Sequence, residues 1–482
     1  MPRQDPRTLF GFDGRRFAPC YDPGNRRARA FADAFGTLPD GSDLRRLELP
    51  VEHLAADRFR LYGALDLAAL RREVDGPYRE VLERLAGMPL FGYNDSPLAL
   101  RHHQAWAEHV GRAALSASWH HHYAAALVIH VYRRTTPPER QGPAHMRLVY
   151  AVAAAADLLT SMTLVTDDWL DGSGTRNGRP AWHLRHPRSF ANDHLIMAVQ
   201  ALNVLRWVVP DHHPLKRQMY DRAVRQIGHI AHYFAYHAVL DLRRDGGAPG
   251  ADGADGAAPR PVPLDDLTLD AYESVTFSRA TDWVDFMVAL GRLLACYGDG
   301  IPDGGAFTEY LAGATTAACV IDDLVDADTG EDVRTGEPTI QLCLAVHKAK
   351  GLLGPVSEED AADIRHTLTR HLGVDDAAHA GRVLRMYERH GVTELALDYL
   401  EGVLEQLPRL RRAAREECGA PGDLPAFLLR WLAIDRGGAT ERAGDCDALL
   451  GQERFRELVA RLARPEEGDG LVRARVPGPA RS

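Results

Sequence analysis

Six cysteines in 482 residues are too few for a disulfide scaffold, and Cys20, Cys296, Cys319, Cys343, Cys418 and Cys446 are scattered without CxxC spacing. A chain this large does not depend on such staples, so reduced thiols and a cytoplasmic location are expected, with no zinc knuckle. There is no Lys/Arg block and no interleaved basic and aromatic ladder, and the formal charge of −10 argues against a nucleic-acid surface. An anionic substrate would therefore need metal ions or a local basic cluster. The opening residues, Met-Pro-Arg-Gln-Asp-Pro-Arg, lack the apolar core of a secretory leader. The best candidate for a membrane span, 148–165, is interrupted by Asp157 and runs into acidic residues, so a core helix is expected instead. Val, Ile and Thr are outweighed by Ala and Leu, which leaves an all-α chain.

What is present is a long series of helical patterns. The length allows about three ordinary domains, or one large helical domain with extensions. Residues 1–60 are rich in Arg, Asp, Pro and Gly with weak periodicity, and they are set apart as an extension. From Leu65 the pattern becomes helical, with Leu67, Leu70, Val74, Tyr78, Val81 and Leu82 at three-to-four spacing. Further helices are predicted over 97–133, 144–170, 191–209, 214–243, 265–297, 305–327, 337–350, 357–372, 379–406, 424–433 and 451–463, punctuated by Pro and Gly. They outline one helical domain over 61–465, followed by a disordered tail over 466–482. Within it, 245–263 is built of Gly, Ala, Pro and Asp and cannot bury enough apolar area to order itself, so a flexible surface loop is expected there.

Two acidic clusters carry the chemistry. Asp167, Asp168 and Asp171 lie in Leu-Val-Thr-Asp-Asp-Trp-Leu-Asp, and Asp322, Asp323 and Asp326 in Val-Ile-Asp-Asp-Leu-Val-Asp. Both read DDxxD at the end of an apolar helix. At 100° per residue the first and last members share a face and the middle one sits beside them. Like charges one turn apart repel by a few tenths of a kcal/mol per pair, so three at the end of a buried face call for a divalent cation. A single DDxxD is more often a solvated helix end. Two copies, each behind an apolar helix (Val149, Leu158, Leu159, Met162 and Val165; then Phe307, Tyr310, Leu311, Ala314, Ala318 and Ile321), make that the weaker reading. Mg²⁺ takes one or two carboxylates and fills its other positions with water and phosphate oxygens, so two such faces turned toward each other suit a diphosphate. With an allylic diphosphate, the metal takes up the charge of the departing pyrophosphate and leaves a carbocation in a dry apolar cavity.

The residues after the first cluster carry a resemblance. Asp167-Asp-Trp-Leu-Asp-Gly-Ser-Gly-Thr-Arg-Asn-Gly-Arg-Pro-Ala-Trp182-His, then Ala191-Asn-Asp193, resembles the first aspartate-rich region of trans-isoprenyl diphosphate synthases, the farnesyl and geranylgeranyl type. The second cluster, followed by Asp332-Val-Arg-Thr-Gly-Glu-Pro-Thr339, is similar to that family's second region, and the likeness runs from about residue 100 to 410. It implies an isoprenoid synthase helical bundle with a central cavity, three Mg²⁺ ions and a homodimer. It also implies metal ligands at Asp167, Asp168 and Asp171 and at Asp322, Asp323 and Asp326, with support from Asp241 in Leu240-Asp-Leu. Arg176 matches the arginine that grips the allylic diphosphate, and Arg279, ending Tyr272-Glu-Ser-Val-Thr-Phe-Ser-Arg, falls where the family has a diphosphate-binding lysine. A guanidinium suits that work through its bidentate fork.

The departures bear on the reaction. Chain-elongating members hold isopentenyl diphosphate with a Gly-Gly-Lys-x-x-Arg segment, a His or Gln before the first cluster and a second arginine after the first. Here Ser116-Ala-Ser-Trp-His-His-His122-Tyr, Thr160 and Asn177 stand at those places, and Glu337 replaces a further lysine. Losing those charge-assisted hydrogen bonds, each worth roughly 1.5–3 kcal/mol, would cripple condensation. The expected activity is therefore a Mg²⁺-dependent class I terpene synthase acting on farnesyl or geranylgeranyl diphosphate. A chain-elongating prenyltransferase with a rebuilt second site and a silent partner that binds prenyl diphosphate stay open as alternatives.

Other positions are read against plainer roles. Tyr233, Tyr236 and His237, with His229 and His232, share a helix face that lacks the partners of a zinc site and reads as a cavity wall, where aromatic faces attract a cation by about 0.5–2 kcal/mol. Trp283 and Phe286 are read the same way against core packing, with Asp282 and Asp285 facing solvent or pairing with Arg279. Met162 and Thr163 lie where elongating relatives limit chain length with bulky aromatics, and their small size implies a pocket for a C15 or C20 chain. His120 to His122 are assigned a structural role, and Asn192-Asp193 a helix-start cap.

Overall fold

A computed structural model describes residues 5, 9–12, 76–77, 79–80, 105, 109, 113, 122–136, 141–170, 172–176, 179–209, 211, 213, 215–240, 263–276, 280–295, 305–327, 330–418 and 453–463. Among these residues the protein is all-α, with fourteen α-helices and a single two-stranded hairpin. In chain order they are α1 (Tyr123–Thr135), α2 (Pro143–Leu170), the hairpin β1 (Thr175–Arg176) and β2 (Arg179–Pro180), α3 (Trp182–Arg185), α4 (Phe190–Trp207) and α5 (Lys216–Leu240). Then come α6 (Leu269–Thr276), α7 (Asp282–Leu294), α8 (Ala306–Ala327), α9 (Glu331–Thr335), α10 (Ile340–Ala349), α11 (Glu358–His371), α12 (Ala377–Arg389), α13 (Val392–Cys418) and α14 (Glu453–Ala463). Most of the predicted 65–82 helix and of the 245–263 loop lies outside the described residues, as do the 424–433 helix and the 466–482 tail.

The chain divides into two compact units. One comprises Gly24–Ala231, Asp282–Pro302 and Gly468–Ser482. Its centre is α2, which packs against α1 and α4 and buries Val149, the run Ala151 to Ala156, Leu158, Leu159, Met162 and Val165. A helix apolar all round must be covered on all sides. This is the one helix among the described residues long and apolar enough to cross a membrane, and 72% of its apolar window is buried by protein, as in a core helix. Helix α7 lies against α1 so closely that a Cβ on Gly291 would come within 2.7 Å of Val131 Cβ and 2.8 Å of the Val128 carbonyl oxygen.

The other unit comprises Met1–Pro23, His232–Thr281 and Asp303–Glu467. It is built on α8 against α13, with Tyr310, Leu311, Ala314, Ala317, Ala318, Val320 and Ile321 meeting Val392, Ala396, Leu397, Leu400 and Val403. Phe10 and Phe12 pack their rings on Tyr399 at 5.2 and 5.3 Å, and Gly402 makes room for the Phe12 ring. Tyr399 in turn donates its hydroxyl to Glu273 Oε1 at 2.7 Å, within the core. Phe10 and Phe12, in the segment set apart as an extension, are thus core.

Two predicted helices are each divided. The 265–297 pattern becomes α6 and α7, which fall in different units. The 379–406 pattern breaks at His390 and Gly391, where Gly391 takes φ +63°, the left-handed turn that ends helices. Conversely α13 runs through Pro408 to Cys418, past the stop that a proline suggests.

Candidate active site

The first acidic cluster sits at the C-terminal end of α2, where the helix dipole is negative and carboxylates are disfavoured. Asp168 is buried and Asp167 half-buried, while Trp169 between the acidic positions points out and lies 5.4 Å from the Phe190 ring. Asp171 is outside the described residues. The chain leaves α2 through Gly172 at φ +65°, with Ser173 N–H bonded to the Asp168 carbonyl at 2.9 Å. It then forms a hairpin in which Thr175 faces Pro180 and Arg176 faces Arg179. The hairpin is closed at its base by Ala181 N–H to the Gly174 carbonyl at 3.1 Å. Its inward arginine, Arg176, donates Nε and Nη2 to Asp168 Oδ1 at 2.7 and 2.6 Å, with Nη2 3.7 Å from Asp167 Oδ2. Burial pushes the Asp168 carboxyl above its ordinary range, Arg176 pulls it back by charge and hydrogen bond, and Asp167 adds a smaller upward push.

Just past that base the chain is anchored by Trp182, whose indole N–H reaches Asp193 Oδ2 at 2.8 Å. The same oxygen receives Ser189 Oγ at 3.0 Å and lies 3.0 Å from His109 Nε2. Asp193 is fully buried and caps nothing: α4 starts from Ser189, and the Asp193 carboxylate is a hub that ties α3, α4 and His109. His122 and Asp157 form a second buried pair at 2.9 Å.

In the other unit, α8 ends on Asp322, Asp323 and Asp326. Asp323 is buried and its Oδ2 accepts the Ile340 N–H at 2.9 Å, so it caps α10. Asp322 and Asp326 are half-buried. Short helix α9, flanked by Gly330 and Gly336 at φ +66° and +75°, returns Asp332 and Glu337 to the same end. Burial, then the charges of Glu337, Asp326, Asp323 and Asp322, push the Asp332 carboxyl far above its ordinary range. Glu337 therefore adds negative charge where the resemblance led one to expect a cation.

Carboxylate oxygens are the donors offered at both ends, which suits a hard ion such as Mg²⁺. No three described His, Cys, Asp or Glu side chains converge closely enough to hold an ion by themselves. Water and phosphate oxygens would have to complete its shell, as Mg²⁺ prefers.

Of the remaining candidates, Met162 is buried and Thr163 half-buried with its hydroxyl bonded to the Leu159 carbonyl at 3.0 Å. Trp283 and Phe286 are buried in α7 edge to face, with centroids 6.3 Å apart. Tyr233 is buried beside Phe234. Tyr236 and His237 lie on α5, but their side chains are outside the described residues, as are Asp241 and Arg279. Asp282 and Asp285 pair with His229 at 3.1 Å and Arg222 at 2.9 Å, across to α5. The His109–Asp193–Trp182 network was invisible to motif reading because its members are spread along the chain.

No family model matches the sequence, and neither does any curated protein. Solved structures do match by fold. T. brucei farnesyl diphosphate synthase bound to risedronate aligns at 17% identity over 79% of this chain and 98% of its own, with a TM-score of 0.56. The homorisedronate complex gives 16% identity, 83% and 100% coverage and a TM-score of 0.57. A further bisphosphonate complex gives 18%, 76%, 99% and 0.59. The chain therefore has the all-α fold of farnesyl diphosphate synthases.

Proposed function

We propose that this protein is a Mg²⁺-dependent class I terpene synthase that ionises one allylic prenyl diphosphate, farnesyl or geranylgeranyl, and releases pyrophosphate with a cyclised or quenched terpene. The observation that carries the reading is Arg176, held by a closed hairpin against Asp168 and Asp167. An anion-binding guanidinium beside paired carboxylates is what a metal-bound diphosphate requires. Bound Mg²⁺ would neutralise the charge that builds on the leaving pyrophosphate as its C–O bond breaks. Arg176 would donate to the diphosphate oxygens and orient the scissile bond. Asp167 and Asp168 would supply carboxylates in one unit, and the resemblance gives the same role to Asp322, Asp323 and Asp326 in the other, with Asp171, Asp241 and Arg279 added by motif alone. Met162, Thr163, Trp283 and Phe286, with Tyr233, Tyr236 and His237, would enclose the hydrocarbon tail and keep water from the cation.

Two features favour ionisation over elongation. The His122–Asp157 pair occupies the segment where a second diphosphate would need lysine and arginine, and Glu337 crowds Asp332 where another lysine would be needed. Incubation of the purified protein with single C10 to C25 prenyl diphosphates and Mg²⁺, followed by analysis of organic extracts, tests this. A hydrocarbon or alcohol from one substrate is expected. No such product from any of them, or incorporation of labelled isopentenyl diphosphate, would sink the reading, the latter in favour of elongation.

A further inference from the structure

Asp168 poses an electrostatic problem that Arg176 solves. Its side chain is 2% exposed, at the negative end of a long helix and next to Asp167. A carboxylate so placed needs a counter-charge in contact. Arg176 supplies it with two N–H groups on one oxygen, Oδ1. His183 also acts on Asp168 in the lowering direction, more weakly than Arg176.

The same carboxylate is the one that the proposed function assigns to a divalent ion, and the two cations compete for it. A magnesium ion binds oxygen at about 2.0–2.1 Å, and Oδ1 already has two nitrogens within hydrogen-bonding distance. A guanidinium left there would sit against a doubly charged cation. Arg176 is free to move without unfolding its support, since the hairpin is closed by backbone hydrogen bonds and by Trp182, not by its own side chain.

We propose that Arg176 is the resident counter-ion of Asp168, and that a divalent ion displaces it and so releases the guanidinium to a diphosphate. This rests on the functional reading above and adds an order to it: metal first, then a firm grip on the anion. Metal alone binds weakly because it must evict the arginine. Metal with pyrophosphate binds better, because the evicted arginine gains a partner.

The test uses the full chain, Mn²⁺ as the probe and electron paramagnetic resonance of the free ion. Without pyrophosphate, Arg176→Gln should bind Mn²⁺ on the order of ten-fold more tightly than the wild type, Arg176→Lys should stay near it, and Asp168→Asn should lose binding. Equal or weaker binding by Arg176→Gln overturns the proposal. A second measurement needs no variant. Hydrogen exchange over 172–181 should quicken with Mn²⁺ alone, as the Arg176 tie is lost, and slow when pyrophosphate is added; no change or slower exchange with Mn²⁺ alone overturns it equally. A wild type that shows both effects yet converts no prenyl diphosphate overturns the proposed function and leaves the exchange standing.

Discussion

Asp193 gathers Trp182, Ser189 and His109 on a single buried oxygen, so its partners lose more than one bond if the hub is disturbed. Trp182→Phe removes the indole N–H and also part of a buried ring. It should cost at least about 1.5–3 kcal/mol, the range for a hydrogen bond to a charged group, with a packing loss added, read by denaturant unfolding. A loss below about 0.5 kcal/mol would show that the bond carries little. Reading Asn192-Asp193 as a cap failed because capping is a local pattern, whereas this hub is assembled from α3, α4 and a residue far upstream. At His390 a different residue-scale effect is expected. Its Nε2 lies 2.8 Å from Asp363, and that hydrogen bond, with help from Arg389, holds the Asp363 carboxyl below its ordinary range. A depressed carboxylate contributes stability that is present above its unfolded value and lost as pH falls through the folded one. Asp363→Asn should therefore be less stable at neutral pH, by a few tenths of a kcal/mol because the pair is partly exposed and screened by solvent, and lose less than the wild type below about pH 4. Parallel stability curves for the two proteins would refute this.

Among the elements, the contact between α1 and α7 depends on one missing side chain. Gly291→Ala must push Val131 and the Val128 carbonyl away. Overpacking of this kind costs about 1–3 kcal/mol, against about 1 kcal/mol of helix propensity gained. A lower thermal midpoint is expected, and an unchanged or higher one would mean that the helices can separate freely. The acidic end of α8 responds to pH with the opposite sign to Asp363. Because the Asp332 carboxyl is pushed up, its protonated form is favoured in the fold, and stability is lost as pH rises through the folded value. Asp332→Asn should raise the melting temperature in chelator most at about pH 8, less at about pH 5 and little below about pH 4. The same increment at every pH would refute the crowding of charges. Periodicity made most of these helices legible, since α2, α8 and α10 bury apolar residues at helical spacing. It could not show the break at Gly391, because a helix that ends and restarts keeps its hydrophobic faces in nearly the same register. It also missed α9, whose five residues are too few to show a period.

At the scale of the molecule, the candidate site was legible wherever its members are neighbours in the chain. Two DDxxD runs announce themselves by charge, and Arg176 by its place in a long motif. The counter-ion role of Arg176 was not legible, because it depends on the turn at Gly172 and Ser173 that brings residue 176 back to residue 168. That arrangement makes ligand linkage the broadest test. A ligand that binds only the folded state stabilises it by about 2.7 kcal/mol at a hundred times its dissociation constant. Mg²⁺ must evict Arg176 to reach Asp168, whereas Mg²⁺ with pyrophosphate offers the arginine a new partner. The thermal midpoint should therefore rise by a few degrees with Mg²⁺ and pyrophosphate together, by much less with Mg²⁺ alone, and return to its starting value in chelator. With two compact units the transition need not be two-state, so the shift should be read on tryptophan fluorescence as well as on heat capacity. Asp168→Asn should abolish the joint shift. A full shift in that variant would place the anion and its metal elsewhere in the protein.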